Sequence, residues 1–399
     1  MSTIESIGLN LQHLMKENSV SIIQLAEYVG VSRQTMSNYI KGITPIDSAK
    51  LYRIAEFFKT KPSALLAEES SFQPAFLFRT ALNYQDATDE IISRISEYIL
   101  IYRKLLKFGN DGIVRIPEHY NLSIARGNHL IDINHECQDY SEKPTPELLN
   151  SIRIIAEEQR RKLGAENANA IELMNAIACS GIHVIFVDLN QPKIYGLSVI
   201  DNSIGCMIFV NSNKQITMER KLFTVIHEYA HLILHRPLYD RKTSIDIGEK
   251  NLLDRMSNEF AGAMLCSKRK LFPYEEKLLQ REIRLSDLIE IKHDLQISLS
   301  CLVVSLKSKG YLSNDYVNRY FRWQKANQLD EDELEPLSEM PGIDGYFSES
   351  TKLRVLPLVR KGLDSHQISL EEAAILLDVP IETVWKKTRN NCEYTDFDF

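Results

Sequence analysis

Apolar positions in the first part of the chain recur at helical spacing: Ile7, Leu11 and Leu14; Leu25, Ala26 and Val29; Met36, Tyr39 and Ile40; Leu51, Ile54, Ala55 and Phe58. Residues three and four apart share a helix face, so this pattern predicts a small helical bundle over residues 1–66. Ser21 and Ser32 stand where N-caps belong, and Gly30 and Gly42 where helices end. Segments near 86–108, 145–163 and 169–180 also read as helix, and the stretch 110–143 between them is open to helix as well. Over 181–213 the period changes. The runs G-I-H-V-I-F-V-D, Y-G-L-S-V-I-D and C-M-I-F-V-N read as three short strands, the last two a hairpin around N-S-I-G. A helical pattern resumes near Met218 and dominates 251–326; the acidic, proline-containing Leu329–Pro341 reads as a linker, and a last helical unit spans about 349–390. The expected fold class is mainly α with a small β-sheet (α+β). The expected division is 1–66, a helical connector 67–150, a central domain 151–327, an acidic linker 328–348 and a C-terminal helical region 349–399.

Composition changes this picture little. A chain of 399 residues exceeds one ordinary domain, and 44% hydrophobic with 25% charged residues suits a globular protein that buries a core. Nothing approaches the roughly 18 consecutive apolar residues of a membrane span. The opening M-S-T-I-E-S-I-G-L-N has neither the basic nor the apolar region of a secretory signal. Cysteines at 137, 179, 206, 266, 301 and 392 form no C-x-x-C pair, so a reducing, cytoplasmic compartment is expected. The net charge of −7 excludes a global basic field, but residues 1–66 carry seven Lys and Arg against five Asp and Glu, while 328–346 has acidic residues and no Lys or Arg.

The chemistry concentrates in His227-Glu228-Tyr229-Ala230-His231. On a helix the two imidazoles lie on adjacent turns of one face, placed to hold one Zn²⁺, and Glu228 stands beside them as a general base for the water such a metal acidifies. The surrounding L-F-T-V-I-H-E-Y-A-H-L-I-L has no Gly or Pro and is otherwise apolar, so three ionisable groups inside it need a compensating partner. A catalytic zinc takes a third protein ligand. The downstream segment L-L-D-R-M-S-N-E-F-A-G-A-M-L offers Asp254 and Glu259, with Met256, Phe260 and Met264 on a core face and Asp254 and Asn258 on another. His235, Arg236 and Tyr239 are nearby candidates for stabilising an oxyanion.

Residues 220–235 (R-K-L-F-T-V-I-H-E-Y-A-H-L-I-L-H) together with 254–265 (D-R-M-S-N-E-F-A-G-A-M-L) resemble the ImmA/IrrE family of zinc metallopeptidases, and the resemblance extends over roughly 150–320. It implies Asp254 as the third zinc ligand, with Glu228 as the catalytic base. Asp254 departs from the glutamate of the family pattern and is one methylene shorter, and Ser267 stands where the family often has proline.

Residues 21–40 (S-I-I-Q-L-A-E-Y-V-G-V-S-R-Q-T-M-S-N-Y-I) fit a helix-turn-helix: one helix, a turn at Gly30, and a second helix from Ser32. Val31, Met36 and Ile40 face inward, leaving Arg33, Gln34, Thr35, Ser37, Asn38 and Lys41 for base edges and phosphates of duplex DNA. The segment 7–66 resembles the Cro/C1-type helix-turn-helix family. A second candidate lies in I-S-L-E-E-A-A-I-L-L-D-V-P-I-E-T-V-W-K-K-T-R, where Ser369 caps one helix and Thr383, Trp385, Lys386, Lys387 and Arg389 fall on another; a packing element reads as well there. His183, in a strand-like run, reads as a satisfied core histidine.

The combined resemblance implies a DNA-binding regulator, dimeric on an operator, fused to a zinc-dependent endopeptidase. Its protein substrate would be a helix-turn-helix repressor or the chain itself. The alternative is a non-proteolytic regulator or antitoxin-like protein whose zinc domain senses a ligand or partner.

Overall fold

The computed structural model describes residues 20–58, 75–80, 88–108, 117–120, 123–126, 129–132, 144–191, 193–201, 204–236, 247–280, 283–327, 349–377 and 379–384, with single positions in 7–15, 62–65, 239 and 334–337. These fall into two compact units, 1–73 and 74–399.

In the first unit, α1 (Ile22–Val29), α2 (Arg33–Ile40) and α3 (Ser48–Phe57) close around Leu25, Met36 and Ile54, all fully buried. Ser21 caps α1 reciprocally with Gln24, satisfying two backbone donors at once. Gly30 ends α1 at φ 77°, a left-handed turn that costs a side-chain-bearing residue energy, and α2 starts two residues later from its own cap, Ser32.

The second unit is built on a four-stranded sheet with strand order β1-β5-β6-β4, comprising β1 (Ala75–Thr80), β4 (His183–Val187), β5 (Ile194–Asp201) and β6 (Gly205–Asn211). β5 pairs antiparallel with both β1 and β6, while β4 pairs parallel with β6. Side chains alternate across a sheet, and here both faces are covered. One face carries Val184, Phe186, Cys206, Ile208 and Val210. Against it pack α5 (Pro146–Lys162), α6 (Ala170–Cys179), α7 (Met218–Leu234), α8 (Ile247–Leu265), α9 (Leu285–Leu295), α10 (Leu299–Ser308) and α11 (Asn314–Ala326). The other face carries Ile185, Val187, Leu197, Val199, Met207 and Phe209. It is covered by Ile95, Tyr98 and Tyr102 of α4 (Thr88–Phe108) and by Val355, Val359 and Leu376 from α12 (Glu349–Asp364) and α13 (Leu370–Leu377). Helices from both ends of this unit thus share one core with the sheet.

The mainly α architecture with a small sheet matches the sequence expectation. The hydrophobic pattern does not show β1 or the two-stranded pair β2 (Ser123–Arg126) and β3 (His129–Asp132), which lies within the stretch 110–143 that is open to helix on sequence. Gly127-Asn128 between β2 and β3 is a hairpin signal in the sequence. Most of the acidic segment 328–348 lies outside the described residues, but Leu334 and Leu337 do not trail in solvent. Lys292 donates to the Leu334 carbonyl at 2.7 Å, the Leu337 amide donates to Glu219 at 2.8 Å, and Lys292 and Glu219 form a fully buried pair at 3.4 Å. His183 contacts the Tyr102 hydroxyl at 3.2 Å and is a core histidine, as expected. Trp385, Lys386, Lys387 and Arg389 lie outside the described residues. Among the described residues no helix is long and apolar enough to cross a membrane.

Candidate metal centre and nucleic-acid face

Helix α7 begins at its cap Thr217 and is buried almost all round from Thr224 to Leu234. An enclosed helix is normally apolar throughout, yet this one carries His227, Glu228 and His231 with at most 3% of their surface exposed. Two contacts bring α7 and the sheet close together. Gly196 on β5 leaves so little room that a Cβ there would sit 2.5 Å from Thr224 Cγ2 and 2.8 Å from the Phe209 carbonyl oxygen. One step along the same face of β5, Ser198 Oγ donates to Glu228 Oε2 at 2.5 Å and accepts from the Tyr239 hydroxyl at 2.7 Å. Burial, then the nearby Glu228 carboxylate, raise the Tyr239 phenol well above its ordinary range, so it stays a donor. A hydroxyl relay therefore fixes the Glu228 carboxylate from the sheet side.

The imidazoles are oriented from behind. His227 Nδ1 lies 3.0 Å from Asn258 Oδ1, an acceptor, which places the proton on Nδ1 and the lone pair on Nε2. His231 Nδ1 lies 2.9 Å from His235 Nδ1. Complete burial, then the neighbouring His231 and His227, push the His235 imidazole well below its ordinary pKa. A neutral His235 can accept at Nδ1 from His231 Nδ1–H, the tautomer that leaves the His231 lone pair on Nε2 for a metal. The two Nε2 atoms lie 3.1 Å apart, and Asp254 Oδ1 on α8 lies 3.7 Å from the first and 3.6 Å from the second. Burial opposes ionisation of Asp254, but the two imidazoles outweigh it and hold the carboxyl well below the usual carboxylate range.

Three lone-pair donors thus converge on one point, an arrangement that is repulsive without a cation between them. Asp254 Oδ1 is buried with no hydrogen-bond partner. Ligands about 2.0–2.2 Å from a tetrahedral zinc stand about 3.3–3.6 Å from one another, close to the separations of 3.1, 3.6 and 3.7 Å between these donors. Among the described residues His227, His231 and Asp254 form the group of donors able to hold a metal ion. The donor set and its spacing therefore fit the implied zinc. Glu259, the other acid weighed from sequence, is turned to Arg153 at 2.5 Å and stands outside this group. Arg236 donates to the Pro117 carbonyl.

Sequence reasoning did not single out Ser198, although Gly196 and Ser198 alternate on one strand face within the Y-G-L-S segment. It placed Asn258 on the face of Asp254 without giving it a task; the acceptor oxygen opposite His227 is that task.

On the first unit, Arg33, Gln34 and Lys41 are exposed, and Thr35, Ser37 and Asn38 are half-buried. Gln34 Nε2 donates to Asn38 Oδ1 at 3.4 Å, and the Thr35 hydroxyl is tied to Ser32 Oγ at 2.8 Å inside the helix cap. Met36 and Ile40 face the core, as the period predicts, and so does Tyr39.

Residues 177–307 match the model of the IrrE N-terminal-like domain, of the M78 peptidase family, and residues 11–65 match the helix-turn-helix model. The chain therefore joins an N-terminal helix-turn-helix domain of the Cro/C1 (XRE) type to an IrrE-like peptidase-family domain. That peptidase family is generally zinc-dependent. No curated protein matches the chain. Among solved structures, the apo form of the competence regulator ComR from Streptococcus vestibularis is similar at 14% identity over 100% of each chain, with a TM-score of 0.16, at which no shared fold follows.

Proposed function

We propose that this protein is a DNA-binding regulator whose second unit is a zinc-dependent endopeptidase acting on another protein, in the first instance a helix-turn-helix repressor. The observation that carries this reading is the convergence of His227, His231 and Asp254 beside a buried carboxylate, Glu228. A purely structural zinc site has no use for such a base. His227, His231 and Asp254 would hold the ion. When bound, zinc acidifies water and polarises a peptide carbonyl. Glu228 takes the water proton and returns it to the leaving amine. The Ser198 hydroxyl, itself held by Tyr239, donates to its Oε2, so the carboxylate keeps one orientation through both transfers. Asn258 and His235 keep both Nε2 lone pairs aimed at the ion. Incubating the zinc-loaded chain with helix-turn-helix proteins encoded beside its gene, and reading the products by mass spectrometry, tests this directly. Intact partners under every condition would remove the peptidase.

One observation favours the non-proteolytic reading: Glu228 is fully buried, closed off from solvent where a base meets its water. A sensor would keep zinc binding and lose nothing when Glu228 is changed.

Two predictions arise here. Asp254→Ala should weaken zinc binding by more than the roughly 10–100-fold typical of losing a supporting group. Glu259→Ala, which removes only the partner of Arg153, should leave it within about twofold, as read by chelator competition. Equal losses in both variants would overturn the ligand assignment. For the first unit, we propose sequence-specific binding as a dimer on a two-fold operator. Gln34→Ala or Asn38→Ala should relax base preference by about 1–3 kcal/mol, whereas Lys41→Ala should weaken all duplexes alike and reduce the salt slope by about one. Gel shifts of the full chain across promoter DNA from its own locus check both.

A further inference from the structure

Strand β1 lies at the margin of the sheet beside the candidate metal centre and comes from outside the matched residues 177–307. Its register on β5 pairs Phe76 with Val199, Leu77 with Ser198, Phe78 with Leu197 and Arg79 with Gly196, and the ladder shifts between Arg79 and Thr80. The residue opposite Leu77 is therefore the one whose hydroxyl holds Glu228, and the residue opposite Arg79 is the glycine where α7 lies tightest on β5. β6 takes the other side of β5, so β1 occupies the one outer strand position that flanks the carboxylate. An extended polypeptide binds a sheet edge through main-chain hydrogen bonds, which need no particular side chains. A strand position next to the base of a peptidase is where such a segment brings its peptide bonds to the chemistry. The opposite margin is unlike this one: β4 is parallel to its neighbour and buried along its whole length.

We propose that β1 is a displaceable plug: it fills the site on β5 that an extended peptide of a substrate protein must take, so the peptidase is closed until β1 leaves. This deepens the peptidase reading and rests on it. The plug begins at Ala75 and the first unit ends at Gln73, so along the chain the strand is tethered directly to the helix-turn-helix unit.

The test uses the full chain and a fluorescein-labelled peptide of residues 74–81, P-A-F-L-F-R-T-A, followed by anisotropy. Leu77→Pro removes a backbone donor and disfavours strand pairing. A plug seated 90–99% of the time weakens peptide binding about ten- to a hundredfold, so Leu77→Pro should bind the probe tighter than the native chain by that factor. A second variant guards against misfolding: Phe76→Cys with Val199→Cys should form a cross-strand disulfide that abolishes probe binding and restores it on reduction. Equal probe affinity in native and Leu77→Pro chains, with oxidation of the cysteine pair without effect, would overturn the plug. Peptide cleavage is read separately on the zinc-loaded variants. A binding contrast without cleavage in any variant leaves the strand site standing and removes the peptidase; cleavage without a binding contrast does the reverse.

Discussion

Glu228→Gln should abolish peptide-bond cleavage while leaving zinc at one ion per chain. The substitution keeps the volume of the side chain, and Oε1 of the amide can still accept from Ser198 Oγ, so the hydroxyl relay from Tyr239 survives. What disappears is a group that can take a proton from water and deliver it to the leaving nitrogen. A positioned general acid–base contributes about 10²–10⁴-fold, or roughly 3–5 kcal/mol of barrier. The loss should fall on kcat, since Glu228 belongs to the reaction rather than to substrate binding. The measurement is cleavage of an identified partner by the native and variant chains at equal zinc occupancy. Cleavage by the variant within threefold of native would remove Glu228 from the role of base, since the other described carboxylate at this site, Asp254, faces both imidazoles; no cleavage by either chain would return the protein to the sensor reading.

The second large effect is on the metal. His227→Ala with His231→Ala removes two of three donors and should take bound zinc from one per chain to none after dialysis, as counted by mass spectrometry of the metal. The native chain should also be stabilised by zinc in thermal melts, by about 4 kcal/mol at a free concentration a thousand times Kd. The double variant should show no such shift. Its metal-free form should still fold, because the core around these residues rests on Val225, Ile226, Tyr229, Ala230 and Leu232 of the same helix and on Met256 and Phe260 of α8. Retention of one zinc per double-variant chain would place the ion elsewhere and dissolve the assignment.

Much of this centre was legible in the residues. Two histidines four apart in a run without Gly or Pro state both the helix and the shared face, and Asp254 and Asn258 state the facing side of α8 by the same spacing. The rest depended on contacts between distant segments. Ser198 becomes informative only when β5 lies under α7, because its period-two pattern is the same whether its neighbour is Glu228 or a leucine. β1 is a short apolar run bounded on its N-terminal side by Pro74, and its pairing with β5 is set by what the sheet edge offers rather than by local preference. The hairpin β2–β3 was within reach, since Gly127-Asn128 names the turn. The choice of Asp254 over Glu259 came from the resemblance, because both are acids on one helix; the contact of Glu259 with Arg153 supports it.

The sheet face opposite α7 is completed by helices from both ends of the second unit, and this has a consequence for how the protein is made. On the ribosome, Ile185, Val187, Leu197, Val199, Met207 and Phe209 emerge long before Val355, Val359 and Leu376, which cover them. At about 5–20 residues per second, roughly eight to thirty seconds separate the synthesis of Phe209 from that of Leu377. During that interval the nascent chain can bring the metal-binding donors together but carries a half-clothed sheet, held only by the earlier helix over Thr88–Phe108. The matched stretch 177–307 therefore leaves one face of its own sheet to helices from outside it, and on the nascent chain that face is only partly covered until Leu377 has been made.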